Sequence, residues 1–192
     1  MRNAPTIHPF AFARMPEIHF GAGMLVKLPA LIGGRGKRIL LVTGSSSFRR
    51  SAHYERLMAA LGEAGITSFQ VSVSGEPSPA FVDETVARYR AENVDWVVSI
   101  GGGSAVDTGK AISAMLPSGD SVVEYLECKD TKKHDGRKVP FIAIPTSSGT
   151  GAEATKNAVL SDVGRAGYKS SLRHDRFVPD IALVDPELTD RK

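Results

Sequence analysis

The fold is indicated most clearly by Trp96-Val97-Val98-Ser99-Ile100, which is followed at once by Gly101-Gly102-Gly103-Ser104-Ala105-Val106-Asp107-Thr108-Gly109-Lys110. Its apolar first part predicts a buried strand, and the residues after the glycines have the pattern of a helix. Glycines lack Cβ atoms, so the backbone can approach a ligand closely and adopt positive φ. The following helix presents free N–H groups and the positive end of its dipole. The stretch therefore predicts a phosphate-binding strand–loop–helix unit.

Two well-known phosphate-binding motifs are excluded by one or two positions each in this part of the sequence. A Walker A loop requires glycine where Ser104 stands and serine or threonine where Ala111 stands, so the Mg²⁺-binding hydroxyl is missing. The dinucleotide fingerprint G-x-G-x-x-G/A requires its third glycine where Val106 stands. The more general interpretation, a glycine loop that holds a phosphate, remains.

Strand and helix patterns alternate on both sides of this unit. The predicted strands are Arg38–Thr43, Thr67–Val73, Val94–Ile100, Val139–Ile144 and Ile181–Val184. The predicted helices are Ser51–Ala64, Ala80–Glu92 and Ser104–Leu116. Strands separated by helices of this length pair in parallel through right-handed crossovers. The chain is therefore predicted to form a Rossmann-like, doubly wound α/β domain with a parallel sheet.

Three further segments complete the predicted organisation. Ile18–Phe20 is a short edge strand, followed by a helix near Met24–Ile32, and such an edge could pair with a second copy to make a homodimer. Ala154–Leu160 and Gly167–Leu172 flank the turn Ser161–Arg165 and predict a β-hairpin inserted before the last strand. The charged run Lys129–Lys138 is interpreted as a solvated loop without a function.

A second loop rich in hydroxyls and glycines follows the fourth strand. Its sequence is Pro145-Thr146-Ser147-Ser148-Gly149-Thr150-Gly151-Ala152-Glu153. Ligands of open α/β sheets bind at the carboxyl ends of the strands, and short hydroxyls suit a pyrophosphate or a ribose. The alternative is a capped turn, in which Thr150 and Glu153 form a capping box. Two such loops after two strands of one sheet favour the binding function.

Composition places the chain among globular proteins that bury a core. It has 192 residues, of which 42% are hydrophobic and 23% charged. A net charge of +3 without a basic stripe argues against nucleic acid as a partner. The single cysteine, Cys128, fits a reducing compartment, and neither a secretory signal nor a stretch of transmembrane length is visible. We therefore expect a cytoplasmic protein that does not bind membranes.

The two loops closely resemble motifs of the iron-containing (group III) alcohol dehydrogenases. The matching motifs are Gly101-Gly102-Gly103-Ser104-x-x-Asp107-x-x-Lys110-Ala111 and Ile144-Pro145-Thr146-x-x-Gly149-Thr150-Gly151-x-Glu153. Shorter matches are Phe20-Gly21-x-Gly23, Pro77-x-Pro79, Asn157-Ala158-Val159 and Val184-Asp185-Pro186-Glu187-Leu188. The resemblance runs from Pro16 to the end of the chain. It implies an α/β nucleotide-binding domain, which in that family is followed by a helical domain that carries the metal.

The resemblance also implies which residues bind the nicotinamide dinucleotide. Those expected at its pyrophosphate are Gly101, Gly102, Gly103 and Ser104. Those expected around the phosphates, the ribose and the nicotinamide side are Thr146, Ser147, Ser148 and Thr150. Asn157 and Lys169 on the hairpin match positions that contact the riboses and phosphates, and Leu183 matches a position near the adenine.

Two charged residues of the first motif have weaker claims to a binding role. Asp107 matches the family pattern and is included among the cofactor-binding candidates. A carboxylate in the first turn also stabilises a helix N-terminus without any ligand, and this structural role is favoured. For Lys110, which also matches the family pattern, the structural alternative is a surface lysine.

The segment after the first predicted strand concerns the choice between NADP and NAD. NAD-preferring members of the family often carry an acidic residue there, which binds the adenosine 2′-hydroxyl. Here Thr43 is followed by Gly44, Ser45 and Ser46, with two arginines shortly after. Hydroxyls, backbone N–H groups and a guanidinium are available to hold a 2′-phosphate. We therefore expect NADP as the preferred cofactor, with NAD as the alternative, unless this segment is only the turn that a βα unit requires.

The metal site of the family is expected outside this chain. Members are roughly twice this long, and their metal ligands, one Asp and three His, lie beyond the position of Lys192. The histidines present here are His8, His19, His53, His134 and His174, and none has a partner at a spacing that suits a metal. Fe²⁺ or Zn²⁺ is therefore expected only with the helical domain, and no catalytic residue is assigned to this chain.

Three hypotheses for the function remain open. In the first, residues 1–192 form a single dinucleotide-binding domain of an enzyme that transfers hydride between a nicotinamide cofactor and a small alcohol or aldehyde. In the second, the enzyme is a relative with different chemistry, such as a maleylacetate reductase. In the third, the chain is a nucleotide-binding module without catalysis. Because the chain ends shortly after Leu188 at what resembles a domain boundary, truncation is favoured over an independent gene.

Overall fold

A parallel β-sheet forms the centre of the protein, in a computed structural model that describes residues 9–129, 131–164 and 167–189. In chain order the strands of this part are β1 (Glu17–Phe20), β2 (Arg38–Gly44), β3 (Thr67–Val73), β4 (Trp96–Gly101), β5 (Phe141–Pro145), β6 (Asn157–Asp162), β7 (Tyr168–Arg173) and β8 (Ile181–Val184). The strands β6 and β7 form a separate antiparallel hairpin, and the other six form the parallel sheet. The predicted Rossmann-like sheet with an inserted hairpin is confirmed.

Helices cover both faces of the sheet. They are α1 (Leu28–Gly33), α2 (Ala52–Glu63), α3 (Pro79–Tyr89) and α4 (Gly103–Met115). Successive side chains of a strand point to opposite faces, so Ile39 of β2 packs with α1 and α2 while Leu40 packs with α3 and α4. This gives the doubly wound arrangement. Within the described ranges, no helix has both the length and the apolar character needed to cross a membrane.

Two local predictions need correction. The single helix expected near Met24–Ile32 is a 3₁₀ turn over Met24–Lys27 followed by α1, which begins with a proline in its first turn, where a missing N–H costs nothing. In the hairpin, β6 begins only at Asn157 because the chain first turns at residues 152–154, and it continues through Asp162. Arg165 of the predicted turn lies outside the described residues.

The order of the strands places a crevice between β2 and β4. The order is β1-β8-β5-β4-β2-β3, so the chain moves outward from β2 to β3 and then returns to β4 on the other side of β2. Such a reversal leaves the loops after β2 and β4 pointing apart, and ligands of open α/β sheets bind there. Gly44 ends β2 and Gly101 ends β4. Both loops singled out in the sequence, after β4 and β5, lie at this edge.

Asp185 joins two of the shorter motifs at the same edge. It is buried, and its carboxylate accepts hydrogen bonds from the N–H groups of Gly23 and Leu25, at 3.0 and 2.9 Å. It also accepts one from the N–H of Glu187, at 3.1 Å. The chain after β8 is thereby tied to the chain after β1, which forms one edge of the sheet as predicted.

Candidate functional site

The glycine loop after β4 lies where neighbouring atoms leave no room for side chains. A Cβ atom on Gly101 would lie 2.6 Å from the Cβ atom of Ala105 and 3.2 Å from the amide nitrogen of Gly44. A Cβ atom on Gly103 would lie 3.0 Å from Cγ2 of Thr150. Positive φ is not the reason for these glycines, because neither has it. They are required because the two strand ends, the helix and the second loop approach each other closely.

The N-terminus of α4 opens at this loop without a side-chain cap. Gly102 is the N-cap residue, and its carbonyl accepts hydrogen bonds from the N–H groups of Ala105 and Val106, at 3.0 and 3.1 Å. The N–H groups of the first helical residues, Gly103 and Ser104, precede any intrahelical partner. An uncapped helix N-terminus beside bare glycine backbone suits an anion such as a pyrophosphate.

The loop after β5 is bonded to the loop after β4. The N–H of Thr146 donates to the carbonyl of Gly101 at 2.9 Å, and a Cβ atom on Gly102 would lie 3.4 Å from Oγ of Ser147. The capping box considered for Thr150 and Glu153 is absent, since the chain turns after Gly151 and enters the hairpin instead of a helix. The hydroxyl-rich loop is thus free of a capping role and stands beside the glycine loop.

A cavity of about 330 Å³ lies between these loops and the hairpin. It brings together six of the residues predicted from the sequence, namely Gly103, Ser104, Asp107, Thr150, Asn157 and Lys169. Residues not predicted also line it, among them Glu76, Pro77, Ala152, Thr155 and Val159. Gly101, Gly102, Thr146, Ser147 and Ser148 belong to the two loops beside it. Backbone N–H groups, hydroxyls, an amide and an ammonium here form a donor set that fits a phosphorylated ribose.

Asp107 holds the hairpin against α4. It lies in the second turn of the helix rather than the first, so stabilisation of the helix N-terminus is not its role. Its Oδ2 accepts a hydrogen bond from the N–H of Val159 at 3.2 Å. Burial raises the pKa of this carboxyl group, and the positive charge of Lys110 together with the Val159 bond partly offsets the rise. The structural role of Asp107 is therefore to bind the hairpin, and not to stabilise the helix N-terminus as the sequence favoured.

Lys110 is a core residue, so the alternative of a surface lysine is wrong. Its exposed fraction is 1%, and its Nζ donates to the carbonyls of Ala152, Thr155 and Asn157 at 2.7, 2.8 and 2.9 Å. The hydroxyl of Thr155 lies 3.2 Å from the same nitrogen. Burial lowers the pKa of the ammonium group to about 8, against the opposing effects of Asp107 and Glu153.

Lys169 lies at the mouth of the cavity, in an ion pair with Glu76. The Nζ to Oε2 distance is 3.3 Å, and both side chains are exposed. The hydroxyl of Ser161 also donates to Glu76 Oε2, at 3.0 Å. This hydrogen bond and then Lys169 hold the pKa of the Glu76 carboxyl group below its ordinary value. The loop after β3 and the hairpin are thereby bridged across the opening.

The other predicted residues lie outside this cavity. Ser45 and Ser46 follow β2, and Nη2 of Arg50 reaches back to donate to Oγ of Ser46 at 3.0 Å. A guanidinium therefore stands beside Ser46, in the loop after β2. Leu183, which matches a position near the adenine in the family, has its side chain fully buried in the core between the sheet and α1.

The sequence held weak signals for the residues that were missed. Lys110 lies next to the apolar residues Ala111 and Ile112, which are buried in the core, so a buried lysine could have been considered. Pro77 was noticed only as part of a matching turn, and its carbonyl accepts the N–H of Ser161 at 2.7 Å. No sequence pattern indicates Thr155, because its contacts with Lys110 and its place in the cavity wall depend on how the loop folds back on α4.

The described residues do not form a metal site of protein ligands. Among them, no group of three or more His, Cys, Asp and Glu side chains converges closely enough to hold a metal ion. The side chain of His134 is 5% exposed. It packs at the amino edge of the sheet, opposite the two loops, where its Nε2 lies 3.2 Å from the carbonyl of Ala114. In the part of the chain that the structure describes, the residues around the cavity supply hydrogen-bond donors for a phosphorylated ligand, and no set of side chains fits a catalytic metal.

Comparison with known sequences gives one consistent family. A family model described as iron-containing alcohol dehydrogenase matches residues 16–186. The chain is 30% identical over 179 residues to the NADPH-dependent butanol dehydrogenase of Clostridium saccharobutylicum, covering 91% of this chain and 44% of the relative. It is 33% identical over 183 residues to the NADH-dependent butanol dehydrogenase A of Clostridium acetobutylicum, covering 94% and 46%. The chain thus spans a little under half the length of these relatives.

Solved structures agree. An archaeal halo-thermophilic alcohol dehydrogenase from a Red Sea brine pool superposes with a TM-score of 0.84 at 26% identity, over 96% of this chain and 48% of that one. A sulfoacetaldehyde reductase from Bifidobacterium kashiwanohense, solved with NAD⁺, superposes with a TM-score of 0.81 at 31% identity, over 95% and 48%. The similarity again covers one half of each longer protein.

Proposed function

This chain belongs to the iron-containing alcohol dehydrogenase family, as its NAD(P)-binding domain, and from that premise we propose how it binds the dinucleotide. The pyrophosphate lies on the glycine loop after β4 and at the N-terminus of α4. The observation that carries the proposal is the meeting of two glycine loops, after the neighbouring strands β4 and β5, beside an uncapped helix N-terminus. Residues 1–192 act in it as one dinucleotide-binding domain.

The proposed contacts follow the two loops and the hairpin. Gly101, Gly102, Gly103 and Ser104 donate backbone N–H groups or a hydroxyl to the pyrophosphate. The hydroxyls of Thr146, Ser147, Ser148 and Thr150 bind the phosphates and the ribose of the nicotinamide side. Asn157 and Lys169 reach the riboses and phosphates from the hairpin. Asp107 acts through the hairpin instead of touching the cofactor, as its bond to Val159 supports.

Hydride transfer by the full-length enzyme needs a nicotinamide and a group that polarises the oxygen of the alcohol or aldehyde. A bound nicotinamide supplies or accepts the hydride when an aldehyde is reduced or an alcohol is oxidised. This chain's residues would hold the dinucleotide and orient its nicotinamide ring. The described residues include no set of metal ligands that could polarise the oxygen of the alcohol or aldehyde, so we assign that task to the helical domain that follows in the family.

NADP is proposed as the preferred cofactor. The end of β2 offers Ser45, Ser46 and the guanidinium of Arg50, which already reaches Ser46, and no carboxylate stands among residues 44–50 to repel a 2′-phosphate. Charge-assisted hydrogen bonds to a phosphate are among the stronger ones in proteins. Both NADPH- and NADH-dependent enzymes occur among the relatives, so the family alone leaves the choice open.

Isothermal titration calorimetry of the chain with NADP⁺ and NAD⁺ tests this proposal. We expect NADP⁺ to bind more tightly, and Arg50→Met to weaken NADP⁺ binding by roughly tenfold while leaving NAD⁺ binding nearly unchanged. Arg56→Met, an exposed arginine on α2, is the matched control and should leave both affinities as they are. Tighter binding of NAD⁺ by the unsubstituted chain would contradict the preference.

A further inference from the structure

Four oxygen atoms converge on the ammonium group of Lys110. Three are main-chain carbonyls, of Ala152, Thr155 and Asn157, and the fourth is the hydroxyl of Thr155. All lie within 3.2 Å of one nitrogen that is almost completely buried. The segment from Ala152 to Asn157, here called the connecting segment, leads from the hydroxyl-rich loop into β6.

These carbonyls define how the connecting segment folds. Residues 152–156 are neither helix nor strand, and Asn157 is the first residue of β6. Regular structure therefore supplies no partners for the carbonyls of Ala152 and Thr155. A buried carbonyl without a hydrogen bond is costly, and one ammonium group, with three N–H donors, serves all of them. A planar guanidinium cannot place its donors around a single point in this way, and a methionine of similar length offers no donor. The fold of the segment therefore depends on Lys110 and on its charge.

The same segment forms a wall of the cavity. Ala152, Thr155 and Asn157 all line it, opposite Gly103 and Ser104 at the start of α4. One turn earlier on α4, Asp107 holds the N–H of Val159 at 3.2 Å. Two residues of one helix thus fix successive main-chain groups of this wall, the ammonium taking carbonyls and the carboxylate taking an N–H. The contacts of Lys110 and Asp107 together set the distance between the glycine loop and the hairpin.

We propose that Lys110 is a positioning residue: it holds the connecting segment in the shape that accepts the dinucleotide, so cofactor affinity depends on the charge of its ammonium group. The inference rests on the proposed function, because it concerns the same cavity. Lys110 does not itself touch the cofactor, since the backbone oxygens of the connecting segment occupy its donors. Loss of a proton leaves two N–H donors for four oxygens, and the segment loosens.

The charges around Lys110 make this dependence measurable near neutral pH. Asp107 on the same helix and Glu153 in the connecting segment favour the ammonium form, while burial opposes it and leaves the pKa at about 8. Lys169, across the cavity, also acts on Asp107. An anionic cofactor would add to the groups that favour the charged form. Binding should therefore weaken as pH rises through 8.

The first experiment uses the unsubstituted chain with ¹³Cε-labelled lysines. NMR titration should detect one lysine with a pKa near 8 in the free chain, assigned through its absence in Lys110→Met. Saturating NADPH should raise that pKa by about one unit, because a tenfold preference of the cofactor for the charged form requires the same shift by reciprocity. A Lys110 pKa that does not move when NADPH binds would overturn the proposal.

The second experiment measures the dissociation constant of NADPH by fluorescence from pH 7 to pH 9.5. For the unsubstituted chain we expect binding to weaken by about tenfold over this range. Lys110→Met should bind about tenfold more weakly already at pH 7 and change little with pH, and Lys110→Arg should not restore binding. Lys27→Met, an exposed lysine on the 3₁₀ turn before α1, should behave like the unsubstituted chain. Equal affinity and equal pH profiles in Lys110→Met and the control would refute the role.

Hydrogen exchange in the absence of cofactor separates this inference from the proposed function. Lys110→Met should exchange faster at the amides of residues 152–159, with no change in β2 or β4. If the unsubstituted chain binds no dinucleotide, the proposed function fails, and unchanged exchange in Lys110→Met would by itself overturn the role of Lys110 in holding the segment. If Lys110→Met does not fold, the lysine NMR titration of the unsubstituted chain decides, with the Lys110 signal assigned through its absence in Lys110→Arg.

Discussion

Gly109 sets how closely α4 can approach the sheet. A Cβ atom there would lie 1.8 Å from Oγ of Ser99 and 3.1 Å from Cε2 of Phe141. The same hydroxyl of Ser99 donates to the carbonyl of Ala105 at 3.0 Å, one turn earlier on the helix. The start of α4 can reach the crevice between β2 and β4 because the helix lies this close to β4. The absence of a Cβ atom at Gly109 therefore allows α4 to lie where its N-terminus borders the candidate site.

Gly109→Ala should lower the free energy of unfolding by about 1–3 kcal/mol, as expected for overpacking in a dense core. Gly62→Ala is the matched control, because nothing lies within 4 Å of its Cβ position on α2, and it should be neutral or stabilising by up to ~1 kcal/mol. Urea denaturation measures both. Adding Ser99→Ala to Gly109→Ala removes the closest atom and should recover part of the loss, whereas no recovery would place the strain elsewhere.

At the level of elements, the hairpin β6–β7 is attached to the sheet by polar contacts at its two ends. Asp107 and Lys110 of α4 hold its beginning. Glu76, in the loop after β3, holds its other side through Ser161 and Lys169. The hairpin closes one side of the cavity, and Lys169 is bound to a carboxylate at the place where a phosphate is proposed to lie. In the proposed binding mode, Glu76 competes with the cofactor for Lys169.

Glu76→Gln should tighten NADPH binding by roughly two- to fivefold, since it frees Lys169 and removes a negative charge near the phosphates, while Gln can still accept the Ser161 bond. The gain should disappear in high salt, which screens exposed charges. Glu63→Gln, at the end of α2, is the control and should not alter affinity. Weaker binding in Glu76→Gln would mean that the carboxylate itself contacts the cofactor.

At the level of the whole molecule, the carboxyl and amino ends of the parallel strands border different kinds of structure. The carboxyl edge carries the loops of the site, and the amino edge is closed by polar contacts around the segment before β5. There Nδ1 of His134 accepts the N–H of Gly136 at 3.0 Å, so Nε2 carries the proton that Ala114 O accepts at the end of α4. The imidazole packs on Phe177, with ring centroids 4.8 Å apart. Burial lowers the pKa of His134, partly offset by the Ala114 bond and Asp135, while His174 and Arg137 add to the lowering.

This histidine should make the folded state sensitive to acid. The neutral form is favoured in the fold, so the unfolded chain takes up the proton more readily and the stabilisation is complete above the ordinary histidine pKa of 6.5. It is lost as the pH falls below that value toward the lowered pKa of the folded state. Urea unfolding between pH 8 and pH 5 should therefore show a loss of stability that His134→Gln diminishes and His53→Gln retains. Parallel pH profiles for all three proteins would exclude His134 as the cause.

Local sequence was enough to predict the elements and to place the two glycine-rich loops at one edge of the sheet. The strands Thr67–Val73 and Ile181–Val184 have the predicted bounds, and α4 differs by one residue at each end. The periodicity of apolar residues depends only on the backbone geometry of helices and strands, so it is visible without the fold. The parallel topology followed, because helical crossovers permit little else. Two glycine-rich loops after strands of one such sheet must then meet at its carboxyl edge.

The tertiary structure alone decided what the charged residues do. Lys110 and Asp107 are ordinary helix residues by sequence, and they become the anchors of the connecting segment only because α4 packs against β6. Leu183 matches a binding motif, yet β8 turns this side chain into the core. The burial and the partners of a side chain depend on segments forty or more residues away, which a local pattern does not encode. The glycine loop could be recognised from its own residues, whereas the wall that faces it could be identified only in the folded chain.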